Sequence, residues 1–232
     1  MITPKTALAG SPEHRKPFDE AEAWRWWYSF AHRTVTTVGR TALGIRVWGQ
    51  ENIPQEGGAI LAAGPHRTFL QDVLAFPSAV PRRHVRMAAK YEAFSYPIIG
   101  CFIRQWGALP IHRDENRPSE AIALARAAKE GHLVGMMPEG TREKGRSKAA
   151  HHADLSELRG GVALVARLAE APTVPTALYG MDRHFPSRQR AIIFGETLDP
   201  PARREDQSAW MADLRGHIED LYKQADEYFS SK

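Results

Sequence analysis

Residues 59–72 read AILAAGPHRTFLQD, and this stretch decides the fold class. Five apolar or small residues, Ala59 to Ala63, are followed at once by Gly64 and Pro65, which is the pattern of a short buried strand that ends in a turn. A histidine and an aspartate come directly after that turn. Strands that deliver polar side chains at their carboxyl ends are typical of α/β proteins, whose open sheets bind ligands at that edge.

The same unit recurs along the chain, with short apolar runs bounded by turn residues and separated by helical stretches. Candidate strands are Ala59–Ala63, Val85–Ala89, Gly107–Ile111, Leu133–Met137, Thr173–Tyr179 and Ala191–Phe194. Candidate helices are Pro118–Glu130, Leu155–Ala169 and an amphipathic final helix, Arg203–Phe229. This alternation predicts an α/β fold with a mostly parallel or mixed central sheet flanked by helices.

The N-terminal region differs from the rest. Residues 1–18 carry prolines and charges and predict a loose leader, whereas 19–43 lack proline and predict a helix. Trp24, Trp26 and Trp27 crowd this helix beside arginines, which suits either the headgroup layer of a membrane or packing on the domain. We therefore expect a leader, an N-terminal helical interfacial element and an α/β domain over 44–232.

Composition narrows the classes of protein that remain. With 43% hydrophobic and 25% charged residues in 232, the chain is an ordinary globular protein. The single cysteine, Cys101, excludes an internal disulfide, and no apolar stretch is long enough to predict a membrane span. The net charge of +4 favours an anionic partner, but basic residues are scattered among acids without a recognition motif, which argues against nucleic acid. We expect a cytoplasmic location.

His66 and Asp72 are the first candidates for chemistry. An imidazole near neutral pH can take a proton from a hydroxyl, and a carboxylate on its other ring nitrogen would stabilise the imidazolium that forms. No serine or cysteine stands between them. A surface histidine near a helix start is the alternative.

The stretch MMPEGTR at 136–142 follows another candidate strand. Arg142 could grip a phosphate bidentately, Gly140 would let backbone N–H groups approach it, and Glu139 could accept from a glycerol or sugar hydroxyl. Lys90 and Arg113 also end strands and could complete a phosphate pocket. A turn with a surface ion pair, and cations that are simply solvated, are the alternatives.

The order of these pieces resembles the glycerolipid acyltransferase family, the PlsC-like or lysophosphatidate acyltransferase group. HRTFLQD at 66–72 is followed by AKYE at 89–92, GALPIHR at 107–113, PEGTR at 138–142 and Val174-Pro175. The resemblance covers about Val47 to Gly180, and PEGTR is its most specific element.

The resemblance implies transfer of a fatty acyl group from acyl-CoA or acyl-carrier protein to a lysophosphatidic acid hydroxyl, without metal or organic cofactor. By analogy His66 is the general base and Asp72 orients it. Substrate contacts would come from Lys90, Arg113, Glu139, Gly140, Thr141 and Arg142, and Val174 and Pro175 would shape an acyl or acceptor pocket. A lipidic substrate further implies a peripheral place on the anionic inner face of the cell membrane.

One departure from the family pattern concerns the first motif. The family has four residues between His and Asp, whereas five separate His66 from Asp72, and Pro65 replaces the usual Asn. Either the loop bulges to present Asp72 or Gln71 takes the family position; we favour the bulge, since an amide cannot stabilise imidazolium as a carboxylate does. Glycerol 3-phosphate, another lysophospholipid or a glycolipid are alternative acceptors, and a catalytically weak lipid-binding relative is the alternative class.

Overall fold

The computed structural model describes residues 33, 37, 41, 44–68, 70–80, 83–112, 117–140, 155, 157–183 and 189–231. Its strands are β1 (Ile45–Trp48), β2 (Ala59–Gly64), β3 (Val85–Lys90), β4 (Leu109–Ile111), β5 (Leu133–Met136), β6 (Thr173–Tyr179) and β7 (Arg190–Phe194). Its helices within these ranges are α1 (Leu70–Ser78), α2 (Pro97–Gln105), α3 (Pro118–Lys129), α4 (Gly161–Ala169) and α5 (Gln207–Ser230).

The strands form one sheet in the order β1-β7-β6-β2-β5-β3-β4. Neighbours are parallel except for β6 and β7, which are antiparallel. Strands β2 to β6 therefore end at one edge, called here the carboxyl edge, and β2 lies near its middle. The predicted α/β fold with a mostly parallel or mixed sheet is confirmed.

The sheet separates two hydrophobic cores, as the two-residue period of a buried strand requires. On β2, Ile60 and Ala62 face the core beneath α3, α4 and α5, whereas Ala59, Leu61 and Ala63 face the core that contains Phe76 of α1. All residues of β2 are buried. A strand covered on both faces can position polar groups only at its end, and His66 follows that end.

Helix α5 packs along β6 through a stripe at spacings of three and four residues. The buried members are Leu214, Ile218, Tyr222, Ala225 and Phe229. At the carboxyl end of β6 the Tyr179 hydroxyl donates to Asp226 Oδ1 at 2.7 Å, and burial together with this bond raises the pKa of Tyr179. The predicted amphipathic helix is confirmed, although it begins at Gln207, because residues 202–206 form a turn in which the Arg203 N–H donates to Asp206.

Several predicted bounds are wrong. Helix α4 begins at Gly161 rather than Leu155, because Leu155 is not helical and its side chain lies against Gly64. Strand β4 is shorter than predicted, and β1, α1 and α2 were not predicted. The predicted helix over 19–43 lies outside the described residues except for Arg33, Thr37 and Thr41, which are helical. Among the described residues, no helix combines the length and the apolarity that crossing a membrane requires.

Candidate active site

The site begins where β2 ends. Gly64 is packed so closely that a Cβ there would lie 2.8 Å from Leu155 Cδ2, so a larger residue would require the Leu155 side chain to move. The Gly64–Pro65 peptide bond is cis, and residues 65–68 have no regular secondary structure before α1 begins at Leu70. His66 lies in this segment with 6% of its surface exposed.

His66 contacts Asp72 through its ring. Nδ1 of His66 lies 3.0 Å from Oδ2 of Asp72, and the Asp72 side chain is fully buried. Because a carboxylate only accepts hydrogen bonds, this contact places the proton of the neutral imidazole on Nδ1. Nε2 is then the nitrogen with a lone pair, and it is the one that can take a proton from a substrate.

Asp72 also binds the backbone that carries His66. Its Oδ2 accepts the N–H groups of Arg67 and Thr68, both at 2.8 Å, and its Oδ1 accepts the Thr68 hydroxyl at 3.0 Å. The Thr68 hydroxyl oxygen in turn faces the Asp72 N–H at 3.3 Å. Four donors thus offset the cost of burying the carboxylate.

The irregular segment 65–68 accommodates the extra residue of the first motif before α1 begins at Leu70. Asp72 stands in the first turn of α1, where the helix dipole favours a negative charge, and its side chain reaches back over residues 66–68. The irregular segment removes the helical phase that would otherwise turn the carboxylate away from His66. This arrangement is the bulge that the sequence left as one of two possibilities, and it is Asp72 that contacts the imidazole.

Glu139 fixes His66 from the other side. The Gly140 N–H donates to the Met137 carbonyl at 3.0 Å, which closes a turn with Pro138 and Glu139 at its centre. Glu139 is buried, and its Oε2 accepts the His66 N–H at 2.7 Å. The amides of three successive residues, 66, 67 and 68, therefore all donate to two buried carboxylates.

The backbone conformation and the surroundings of Gly140 explain why glycine stands at this position. Its φ is +76°, and a Cβ there would lie 2.8 Å from Cδ and Nε of Arg159. Arg159 lies next to this turn, and its N–H donates to the Pro138 carbonyl at 2.8 Å. Glycine adopts this positive φ without strain, so Gly140 stabilises the turn formed by Pro138, Glu139 and Gly140.

Lys90 ends β3 at the same edge, two strands from β2. It is exposed, and its Nζ lies 3.2 Å from Glu92 Oε1. A backbone hydrogen bond and then the contact with Lys90 lower the pKa of Glu92. A phosphate that bound Lys90 would therefore compete with Glu92.

A second histidine–carboxylate pair lies at the end of β4, and sequence analysis missed it. Nδ1 of His112 contacts Glu120 Oε1, and Glu120 Oε2 accepts the His112 N–H at 2.7 Å. The Tyr91 ring stacks on the His112 ring with centroids 4.1 Å apart. The signal that could have found it is a histidine at a strand end followed by a glutamate in the first turn of the next helix. Thr68 was missed too, although a threonine just before a helix is a common cap.

The remaining candidates divide into two groups. Arg113, Thr141 and Arg142 lie outside the described residues. Val174 and Pro175 are buried near the start of β6, beside Leu61 and Ala62 of β2, and not at the carboxyl edge. Because β6 begins at Thr173, both side chains lie several residues below the site, and the structure places them in the sheet interior rather than in a pocket at His66.

No group of three or more potential metal ligands of the His, Cys, Asp and Glu types occurs in the part of the chain that the structure describes. The polar groups around His66 are carboxylates engaged with backbone amides. The arrangement suits proton transfer at a fixed imidazole.

Comparison with known proteins identifies related sequences. A family model described as Acyltransferase matches residues 44–179. A Bacillus subtilis 1-acyl-sn-glycerol-3-phosphate acyltransferase is 27% identical over 174 residues, which cover 74% of this chain and 82% of that protein. A Streptococcus pneumoniae protein of the same name is 28% identical over 151 residues, which cover 64% of this chain and 50% of that protein.

A solved structure shows the same fold. The crystal structure of the 1-acyl-sn-glycerophosphate (LPA) acyltransferase PlsC from Thermotoga maritima superposes with a TM-score of 0.61. The match covers 88% of this chain and 81% of that one at 20% identity. The central sheet and its flanking helices are therefore shared.

Proposed function

This chain belongs to the acyltransferase family, and on that premise we propose that it transfers a fatty acyl group from a thioester donor to the free hydroxyl of lysophosphatidic acid, giving phosphatidic acid. The names of the Bacillus and Streptococcus relatives support this acceptor. The donor is acyl-CoA or acyl-carrier protein, and it enters as a substrate. No separate cofactor is needed for the step described below.

The observation that carries the proposal is the His66–Asp72 contact of 3.0 Å at the end of a central strand. Nε2 of His66 takes the proton of the acceptor hydroxyl while that oxygen attacks the thioester carbonyl carbon. The tetrahedral intermediate then collapses: the carbon–sulfur bond breaks, and the thiolate receives the proton from His66. Asp72 stays ionised and stabilises the imidazolium between the two transfers.

The remaining parts of the proposal concern the acceptor and the membrane. Lys90, Arg113, Gly140, Thr141 and Arg142 are proposed to bind the phosphate and glycerol of the acceptor. Glu139 would contact the acceptor while it also accepts the hydrogen bond from the His66 N–H. A lipid acceptor and the net charge of +4 support a peripheral place on an anionic membrane surface, on the cytoplasmic side.

The test uses the purified full chain with oleoyl-CoA or oleoyl-carrier protein and four acceptors: lysophosphatidic acid, glycerol 3-phosphate, lysophosphatidylcholine and a glycolipid. Thiol release is measured with and without each acceptor, and products are identified by mass spectrometry. We expect phosphatidic acid from lysophosphatidic acid at the highest kcat/KM. A higher kcat/KM for another acceptor would replace the substrate, and absence of acceptor-dependent release with all of them would overturn the enzymatic proposal.

A further inference from the structure

A cavity lies on the face of the sheet that α3, α4 and α5 cover. Its volume of about 630 Å³ is within the range of small-molecule sites. Its walls come from α3 and α4, and the last residues of β4 and β5, Ile111 and Met136, line it at the carboxyl edge. Leu124, Leu164 and Val165 make its middle apolar. None of its lining residues belongs to the His66 network.

The charged lining of this cavity is mostly basic. Arg117, Arg167 and Arg204 line it, and the one carboxylate among its described lining residues is Glu120, whose two oxygens already contact His112. Two buried donors, Nε of Arg167 and Nε2 of Gln207, have no acceptor among the described residues. This part of the cavity is therefore short of acceptors, and phosphate oxygens are acceptors.

The cavity connects the carboxyl edge with a distant basic end. Gly160 and Gly161 line it next to Arg159, whose N–H binds the Pro138 carbonyl of the turn that carries Glu139. Helix α4 leads away from that edge toward the start of β6, and Arg167 stands six positions beyond Gly161. At 1.5 Å per residue, the basic end lies about 9 Å further along the helix.

That separation discriminates between the two substrates of the proposed reaction. In lysophosphatidic acid the phosphate lies only a few bonds from the reacting hydroxyl, so it cannot occupy the basic end while the hydroxyl is at the carboxyl edge. In acyl-CoA a long pantetheine arm separates the thioester from the diphosphate and the 3′-phosphate. An uncharged arm with several phosphates at its far end matches a cavity with an apolar middle and with Arg167 at the end away from the carboxyl edge.

We propose that this cavity binds the pantetheine arm and the phosphates of acyl-CoA, with Arg167 and Arg204 as phosphate contacts. The inference rests on the proposed function for the direction in which the thioester points. It assigns CoA, rather than a carrier protein, as the donor, because a carrier protein presents a single phosphodiester to this group of arginines.

The primary test is binding of free CoA to the full chain by isothermal titration calorimetry. We expect Arg167→Gln and Arg204→Gln each to weaken CoA binding about tenfold, the size of one charge-assisted hydrogen bond. Arg126→Gln is the matched control, since Arg126 lies exposed on α3 and does not line the cavity. Ala121→Phe, which fills the cavity without changing charge, should also weaken CoA binding.

Kinetics supply the second measurement. The two arginine variants should raise the KM for oleoyl-CoA and leave the KM for lysophosphatidic acid and kcat unchanged. Unchanged CoA affinity in folded Arg204→Gln and Ala121→Phe would overturn the inference, as would a rise in the acceptor KM alone or equal affinity for 4′-phosphopantetheine and CoA. Wild-type turnover without CoA binding would overturn this inference alone, whereas CoA binding at these arginines without turnover would overturn only the proposed function.

Discussion

Two histidine–carboxylate pairs stand at strand ends on the same edge of this sheet, and they differ in what surrounds them. His66 and Asp72 follow the central strand β2, with side chains 4% and 0% exposed. His112 and Glu120 follow the edge strand β4, with side chains 20% and 17% exposed. In both pairs Nδ1 of the imidazole contacts the carboxylate.

We propose different roles for the two pairs on the basis of their surroundings. Tyr91 covers a face of the His112 ring, and Glu120 binds the amide of the same residue, so this pair ties the end of β4 to the start of α3. The His66 amide is held by a separate carboxylate, Glu139, and Asp72 holds the next two amides. A histidine–carboxylate hydrogen bond is thus no sufficient mark of a general base; a fixed backbone at a central strand end distinguishes the proposed one.

We expect the largest difference in kcat between the two pairs when the carboxylate of each pair is neutralised. Asp72→Asn keeps the side-chain shape but cannot stabilise an imidazolium, so kcat should fall about a hundredfold. Glu120→Gln should leave kcat close to the wild-type value. Thiol release at saturating substrates measures both, and a matching loss in the two variants would remove the distinction drawn between the pairs.

Glu139 gives the next largest effect. Glu139→Ala leaves the buried His66 N–H without its acceptor and frees the segment to move, and we expect kcat to fall about tenfold. Glu139→Gln should restore most of the activity, because an amide oxygen can accept the same N–H.

The steady-state constants separate positioning from substrate contact at Glu139. A positioning role predicts a lower kcat with an unchanged acceptor KM. A higher acceptor KM with an unchanged kcat in Glu139→Ala would show instead that the carboxylate acts by holding the substrate.

Tyr91→Ala tests the second pair as a structural device. Losing the stacked ring should lower the free energy of unfolding by about 1 kcal/mol. Urea denaturation measures this, and kcat serves as the control that should not change. A large loss of kcat with unchanged stability would place the His112 pair in the catalytic machinery.

Lys90→Ala should have the smallest effect. The exposed Lys90–Glu92 pair is solvent-screened, so thermal unfolding should not change measurably. If Lys90 contacts the acceptor phosphate in competition with Glu92, KM for lysophosphatidic acid should rise about twofold. An unchanged KM would remove Lys90 from the acceptor site.

Local pattern was sufficient for most of the sheet and insufficient for the site. The predicted bounds of β2, β3, β5, β6 and β7 agree within a residue, because apolar runs and turn residues are local signals. Strand β1 was not predicted because Arg46 interrupts its short apolar run of four residues at the edge of the sheet. The predicted helix wrongly includes Leu155. This residue packs against Gly64, and local sequence does not show a contact between distant parts of the chain.

The site depends even more on distant contacts. Glu139 and His66 are 73 residues apart, and only the pairing of β2 with β5 brings them together. The sequence left Asp72 and Gln71 as alternatives, since the choice depends on the path of an irregular segment that no periodicity describes. Residue types at strand ends were enough to name His66, Asp72 and Glu139 as candidates, but not to predict that the two carboxylates bind backbone amides.

The proposed role of His66 as general base is tested by acceptor-dependent thiol release from oleoyl-CoA, measured for the wild type, His66→Ala and His112→Ala under identical conditions. We expect a loss of about a thousandfold for His66→Ala and near wild-type release for His112→Ala, with both variants folded by circular dichroism. Retained activity in His66→Ala, or an equal loss in His112→Ala, would contradict the assignment of the buried pair as the general base.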